Sequence, residues 1–427
     1  MSKILVSLSL LIITTGNLSA QNGWLSQTSG TSFNLHSIHF VNPLSGWACG
    51  DSGLVLNTTD GGGTWHRQYT GTLLPLTSIM FADSIFGWVI GGDPISTPLC
   101  DHYFVVLRTT NGGINWINQI NPPNYLFNDL YVVNRQTAFV TNEGACCPPF
   151  CTHSAGAVYK TTNGGMNWSG SYSRASFSIF FLDSINGWAS SVSASDIPPA
   201  FSYFSKTTNA GSTWQDIRVD TAYYESRNLQ FLNLSTGYVQ RQGLNKTTDG
   251  GLTWFQPNGA ATQNFSNHFF VNASTGWCVG YAGIIRTNDG GSNWTQQTSV
   301  AMSAVHFYDE QTGWAVGRSG RILKTITGGT VSSGFVTESA NSFELFQNYP
   351  NPFNPATSIQ FSVSHKSEVR LIVYDMNGKE VSTLVNGRLQ AGMHTVRFDA
   401  GELPSGVYLY KLSTESTSTV RRMVLIR

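Results

Sequence analysis

Short alternations of apolar and polar residues recur along most of this chain, and they recur in a fixed order. Seven runs share one outline: S-I-H-F-V-N ending at Asn42, then S-I-M-F-A-D, D-L-Y-V-V-N, S-I-F-F-L-D, L-Q-F-L-N, H-F-F-V-N and A-V-H-F-Y-D. A small-aromatic pair follows each run: Gly46-Trp47, Gly87-Trp88, Ala138-Phe139, Gly187-Trp188, Gly237-Tyr238, Gly276-Trp277 and Gly313-Trp314. Another short run then enters a polar turn that ends in Trp, first seen as T-T-D-G-G-G-T-W from Thr58 to Trp65. Period-two alternation bounded by turn residues predicts strands. No helical spacing of three to four runs through this region.

The turn has close copies, which pair Asp60 with Trp65, Asn111 with Trp116, Asn163 with Trp168, Asn209 with Trp214, Asp249 with Trp254 and Asp289 with Trp294. The seventh unit, Thr325 to Thr330, carries Thr327 at the acidic position and has no Trp strand after it. The orphan strand Gly23-Trp24-Leu25-Ser26-Gln27, ahead of the first unit, is of the missing type. Four short strands per unit of roughly 40 residues predict propeller blades. Joining the two ends predicts an all-β, seven-bladed β-propeller closed by the N-terminal strand, which leaves no bare sheet edge.

Each turn residue has a structural job. Asp or Asn is expected to accept a backbone N–H two residues on, the glycine pair to supply positive φ, and Trp to bury a large ring between sheets. Six equivalent sites spread round a ring cannot form one active site, so the repeat is read as a building part.

These residues resemble the Asp-box of sialidases, sortilin-type receptors and some xyloglucan hydrolases. From Trp24 to Thr330, the order of the whole unit is more similar to the photosystem II assembly and stability factor family, which implies seven blades. Asn111, Asn163, Asn209 and Thr327 depart from the fullest pattern.

After Thr330 the repeat stops. A linker at 331–342 leads into F-Q-N-Y-P-N-P-F-N-P and several alternating runs, a pattern expected to fold as a small immunoglobulin-like sandwich over 343–427. Asn348, Pro350, Asn351, Pro352, Phe353 and Asn354, with Gly406-Val407-Tyr408 and the basic-apolar terminus, resemble the type A C-terminal sorting domain of the type IX secretion system. That resemblance implies passage through the periplasm and outer membrane, then release or surface attachment, with the secretion machinery as a partner.

Composition fits an exported protein. Charged residues are 11%, against about 25% in ordinary soluble domains. Lys+Arg and Asp+Glu are 24 each, which gives no bulk attraction for nucleic acid. Lys3, the apolar run Ile4 to Ile13 and Ser19-Ala20 predict a signal peptide over 1–20, and no later run is long enough to span a bilayer.

Spacing places the candidate site. From each Trp to the next pair's aromatic the distance stays at 20–24 residues. From that aromatic to the turn Thr it is 9–11 residues in units one, five, six and seven, but 19–22 in units two, three and four. Three adjacent blades therefore carry insertions between their second and third strands, and loops on a rigid scaffold are where function concentrates. The candidates for binding a protein or glycan are Asp93, Asp101, His102, Tyr103, Phe150, Asp196, Phe201 and Tyr203, with Phe104, Glu143, His153 and Phe204 nearby.

Cys49 and Cys278 read as buried thiols. Cys100, Cys146, Cys147 and Cys151 are disulfide candidates, with Cys100 joined to the second loop and the vicinal pair least favoured. Cys146-Cys147-x3-Cys151-x-His153 has an outline a zinc ion could use, but a vicinal pair and an oxidising compartment speak against it. No metal or cofactor is expected. The alternatives to a binding module are a sialidase-like or other glycoside hydrolase, for which no carboxylate or Tyr/Glu pair is identifiable by spacing, and an envelope assembly factor.

Overall fold

A computed structural model describes residues 23–93, 103–119, 127–142, 146–147, 150–151, 156–174, 176–192, 201–220, 225–257, 265–330, 343–348, 351, 353–390 and 392–426. Their regular structure is all strand, apart from one short 3-10 turn at Arg318–Gly320. The chain divides into two compact units between Val331 and Ser332.

The N-terminal unit is built from consecutive antiparallel sheets. The first is Leu35–Phe40, Gly46–Gly50, Val55–Thr58 and His66–Gln68, each strand pairing with the next. The second (Leu76–Phe81 to Ile117–Asn118), third (Phe127–Val132 to Ser169–Tyr172), fourth (Ser176–Phe181 to Gln215–Asp220) and sixth (Phe265–Phe270 to Thr295–Thr298) repeat that order. The fifth has three strands, Arg227–Phe231, Gly237–Gln240 and Leu244–Thr247, and a bridge from Lys246 to Phe255. In the seventh, Ala304–Phe307, Gly313–Val316 and Ile322–Thr325 are joined by Leu25–Gln27, with Leu25 opposite Lys324 and Gln27 opposite Ile322.

One aromatic arrangement recurs between neighbouring sheets. The last residue of a first strand is Phe in six sheets; its ring lies flat on the paired aromatic of the sheet before and covers the paired glycine of its own sheet. Phe40 stacks on Trp314, Phe81 on Trp47, Phe181 on Phe139, Phe231 on Trp188, Phe270 on Tyr238 and Phe307 on Trp277, with centroids 3.4 to 4.3 Å apart. Glycine precedes the aromatic because the same Phe covers it: a Cβ on Gly46 would fall 2.4 Å from the Phe40 ring. The third sheet has Val132 where the others have Phe, and there Ala138 replaces the glycine.

The same Phe rings also meet the turn Trp of their own sheet edge-on, as Phe40 does Trp65 and Phe81 does Trp116. Phe307 meets Trp24 in this way at 5.8 Å. The turn Trp is less buried than expected. Trp65, Trp116, Trp168, Trp214, Trp254 and Trp294 are half-buried, whereas the paired Trp47, Trp88, Trp188, Trp277 and Trp314 are at most 1% exposed. The turn Trp stands at the start of the outer strand of its sheet.

The C-terminal unit has a three-stranded sheet (Glu344–Leu345, Ala356–Val363, Gly392–Asp399) and a four-stranded one (Glu380–Leu389, Ser367–Tyr374, Gly406–Ser413, Ser418–Leu425). Ile359, Phe361 and Phe398 of one and Leu371, Val373, Tyr410 and Met423 of the other share a single buried core.

Candidate functional site

The repeated turn is held together by its own side chains. Thr58 Oγ1 donates to Asp60 Oδ1 at 2.8 Å and accepts the Gly62 N–H at 2.8 Å. Asp60 Oδ1 accepts the Thr64 N–H, four residues on, at 2.9 Å. The chain must wind through Gly61 and Gly62, at φ 73° and 96°, before an N–H points back at the carboxylate. Asn111, Asn163 and Asn209 accept the equivalent bond at 2.9 to 3.0 Å. Burial pushes the Asp60 carboxyl up, but bonds from Thr64 and Thr58 outweigh it and hold the group below its ordinary range.

Two further repeated roles went unread in the sequence. A cation precedes the turn Thr in sheets two to seven and lies over the paired aromatic of its own sheet: Arg108 over Trp88, Lys160 over Phe139, Lys206 over Trp188, Lys246 over Tyr238, Arg286 over Trp277 and Lys324 over Trp314, at 5.2 to 5.6 Å. An Asp or Asn after each first strand (Asn42, Asp83, Asn134, Asp183, Asn233, Asn272 and Asp309) accepts the N–H groups two and three residues on. Aligning the seven units would have exposed both.

The turn between strands three and four bonds to the turn between strands one and two, as in Gly61 N–H to Leu44 O at 2.8 Å and Gly112 N–H to Ile85 O at 2.8 Å. These turns therefore share one face. The connections from second to third strand leave by the opposite face, where the insertions of sheets two, three and four begin at Asp93, Asn142 and Val192.

Asp93 stands opposite Tyr103 in the ladder at the foot of the first insertion. In the second, a two-stranded hairpin sets Cys146 opposite Cys151 and Cys147 opposite Phe150. At the foot of the third, Phe201 meets Tyr203 edge-on at 6.4 Å. Asp101, His102, Asp196, Cys100, Glu143 and His153 lie outside the described residues, as do Pro350 and Pro352 of the C-terminal motif.

Tyr203 also belongs to a cluster that no spacing announced. The Arg174 guanidinium lies 4.2 Å from the Tyr203 ring centre and is held by Asp216, with Nε 2.9 Å from Oδ2. Tyr172 donates to Asp216, and Ser205 donates to the same carboxylate at 2.9 Å. Burial and the adjoining Asp216 push the Tyr172 phenol up to about 12. The cluster ties the outer strands of sheets three and four together beneath the third insertion.

Cys49 and Cys278 are buried free thiols, and burial raises both. No group of three His, Cys, Asp or Glu placed to hold a metal occurs among the described residues.

In the C-terminal unit the Asn-Pro segment holds the last strand. Asn351 Oδ1 accepts the Val424 N–H at 2.8 Å, and Phe353 exchanges backbone bonds with Val424 and Ile426 at 2.9 and 3.0 Å. Buried Asn348 donates from Nδ2 to Thr357 Oγ1 at 3.0 Å.

Residues 347–426 match the family described as the secretion system C-terminal sorting domain, and residues 16–195 match the photosynthesis system II assembly factor YCF48. The chain is a propeller with a type IX sorting tail. It is exported, to the surface or the medium. Among solved structures, YCF48 bound to D1 peptide is similar at TM-score 0.54 and 19% identity, covering 72% of this chain and 97% of that one. PorZ, an essential bacterial surface component of the type IX secretion system of Porphyromonas gingivalis, matches at TM-score 0.50 and 12% identity over 91% of this chain and 59% of that longer one. The WD40 beta propeller domain of Doa1 matches at TM-score 0.50 and 7% identity, over 70% of this chain and 96% of its own. At these identities the likeness concerns the fold alone. No curated protein matches the sequence. No helix among the described residues is long and apolar enough to cross a membrane.

Proposed function

We propose that this protein is an exported, non-catalytic recognition module: a seven-bladed propeller closed by its N-terminal strand, which binds a protein or glycan through the long loops of blades two to four. Cleavage of a signal peptide over 1–20, propeller residues 21–330, a linker at 331–342 and an immunoglobulin-like sorting sandwich from 343 complete the reading. The observation that carries it is the placement of three insertions on consecutive sheets, all leaving by one face, in a frame whose other sheets have tight turns there. Closure is supported by the pairing of Leu25–Gln27 with Ile322–Thr325 and by Trp24 against Phe307. The sandwich is supported by the Tyr408 hydroxyl, which bonds back to Pro404 O at 2.8 Å as in the corner tyrosine of immunoglobulin-like domains.

The ligand face centres on Asp93, Asp101, His102, Tyr103, Phe150, Asp196, Phe201 and Tyr203. Because Cys146 and Cys151 are cross-strand partners, we assign them to one disulfide and Cys100 with Cys147 to the other. Peptide mapping without reduction tests the pairing.

The mature chain and a variant with all three insertions shortened should be screened on peptide and glycan arrays and for glycoside hydrolysis. Binding without turnover, lost in the shortened variant, is the expected result. Turnover would favour the glycoside hydrolase alternative, and binding that survives shortening would move the site elsewhere.

A further inference from the structure

The contacts between neighbouring sheets are not equally complete, and the sheets serve as one another's controls. Five junctions combine a flat aromatic stack with a side-chain bond from the paired aromatic to the next sheet's turn: Trp47 Nε1 to Gly112 O, Trp188 to Gly250 O, Trp277 to Gly328 O and Trp314 to Gly61 O, each at 3.0 Å, and the Tyr238 hydroxyl to Gly290 O at 3.4 Å. Between sheets three and four the Phe139–Phe181 stack is backed by Lys160 Nζ donating to Ala210 O at 2.6 Å and the Tyr131 hydroxyl to Phe181 O at 2.5 Å.

Between sheets two and three both parts are missing. Val132 stands where Phe would cover Trp88, and no ring stacks there. The Trp88 indole N–H is fully buried and has no acceptor among the described residues, which leaves a donor desolvated without return. Among the described residues this junction is crossed by apolar packing, by the Phe104 ring edge-on to Phe127 at 6.4 Å, by the Arg108 guanidinium beside Gly164, by a Val132 N–H to Met80 Sδ bond at 3.3 Å, and by Arg135 on the surface. Arg135 donates from Nε to Asp83 Oδ2 at 2.5 Å and covers the Phe86 ring at 4.7 Å.

We propose that the junction of sheets two and three is a built-in hinge, the place where the sheets part first, with Arg135 as its surface latch.

Hydrogen exchange on the mature full chain tests this. Amides of Phe127–Val132 should exchange about tenfold faster than those of Leu35–Phe40 and Ala304–Phe307. Arg135→Ala, an exposed change, should raise exchange at that junction and leave the other sheets unchanged. The double change Val132→Phe with Ala138→Gly restores the ring and the space beneath it, and should slow exchange there to the level of the other sheets. Fastest exchange at the junction of sheets seven and one would overturn the hinge, as would a uniform response to Arg135→Ala.

Discussion

The Trp314 indole N–H donates to the Gly61 carbonyl at 3.0 Å, although 253 residues separate them. Trp314 also stacks on Phe40 at 3.5 Å, so the last sheet meets the first with the same contacts that join the first to the second. Trp314→Ala empties a fully buried site and should cost about 3–5 kcal/mol. Trp314→Phe keeps the stack and loses the bond, for about 1 kcal/mol. Urea unfolding of the two variants separates packing from hydrogen bonding.

Asp249 accepts the Thr253 N–H at 2.9 Å and the Thr253 and Thr247 hydroxyls at 2.5 and 2.8 Å. Slight burial raises its carboxyl, but these bonds outweigh that and hold it at about 2. Its contribution is therefore full above the ordinary carboxylate range and is lost as pH falls towards 2. Asp249→Ala should cost about 1 kcal/mol at pH 7. Asp249→Asn should cost less, because Asn209 Oδ1 accepts the same backbone bond in its own turn at 2.9 Å. Thermal unfolding at pH 7 and pH 3 checks both, and the Ala penalty should shrink at the lower pH.

His268 occupies a core position filled in the other sheets by Ile38, Ile79, Leu130, Ile179, Leu229 and Val305. Neither ring nitrogen has a partner, and burial lowers its pKa from 6.5 to about 3. The fold therefore holds it neutral, and stability falls as pH drops below 6.5 towards the folded value, by about 2 kcal/mol between pH 7 and pH 5. His268→Leu should be more stable than the native chain, and its stability should depend less on pH across that window. An equal loss of unfolding free energy between pH 7 and pH 5 in the native chain and the variant, read from urea titrations, would assign the acid sensitivity to other groups.

In the sorting domain, the buried Tyr410 ring carries its hydroxyl to Phe346 O and accepts the Asn348 N–H, both at 2.8 Å. Tyr410→Phe strands both backbone groups and should cost about 1–3 kcal/mol. Differential scanning calorimetry of the full chain should show the loss in one transition, with the propeller transition unmoved.

The repeat was legible because each of its residues acts on a near neighbour or on the same contact in every sheet. Thr58, Asp60 and Gly62 close their turn within a few residues, and the Asn-Pro segment that names the tail meets the last strand through bonds such as Asn351 to Val424. All-β architecture and the sorting tail were readable for that reason. The difference in burial between the two Trp sets was not, because alternation marks a strand without saying whether it is inner or outer in its sheet. Tyr172, Arg174 and Asp216 gave no signal, since their meeting depends on how two sheets sit against each other.

By itself the sequence determined the strands, the turns, the repeat and the export address, since all of these follow from local chemistry repeated in order. Only the tertiary structure decided that Phe rather than Trp is the hub of six sheet junctions, that Val132 leaves one junction without its ring, and that Arg174 is committed to Asp216. Those outcomes are set by distances between sheets, and residues far apart in the chain fix such distances together.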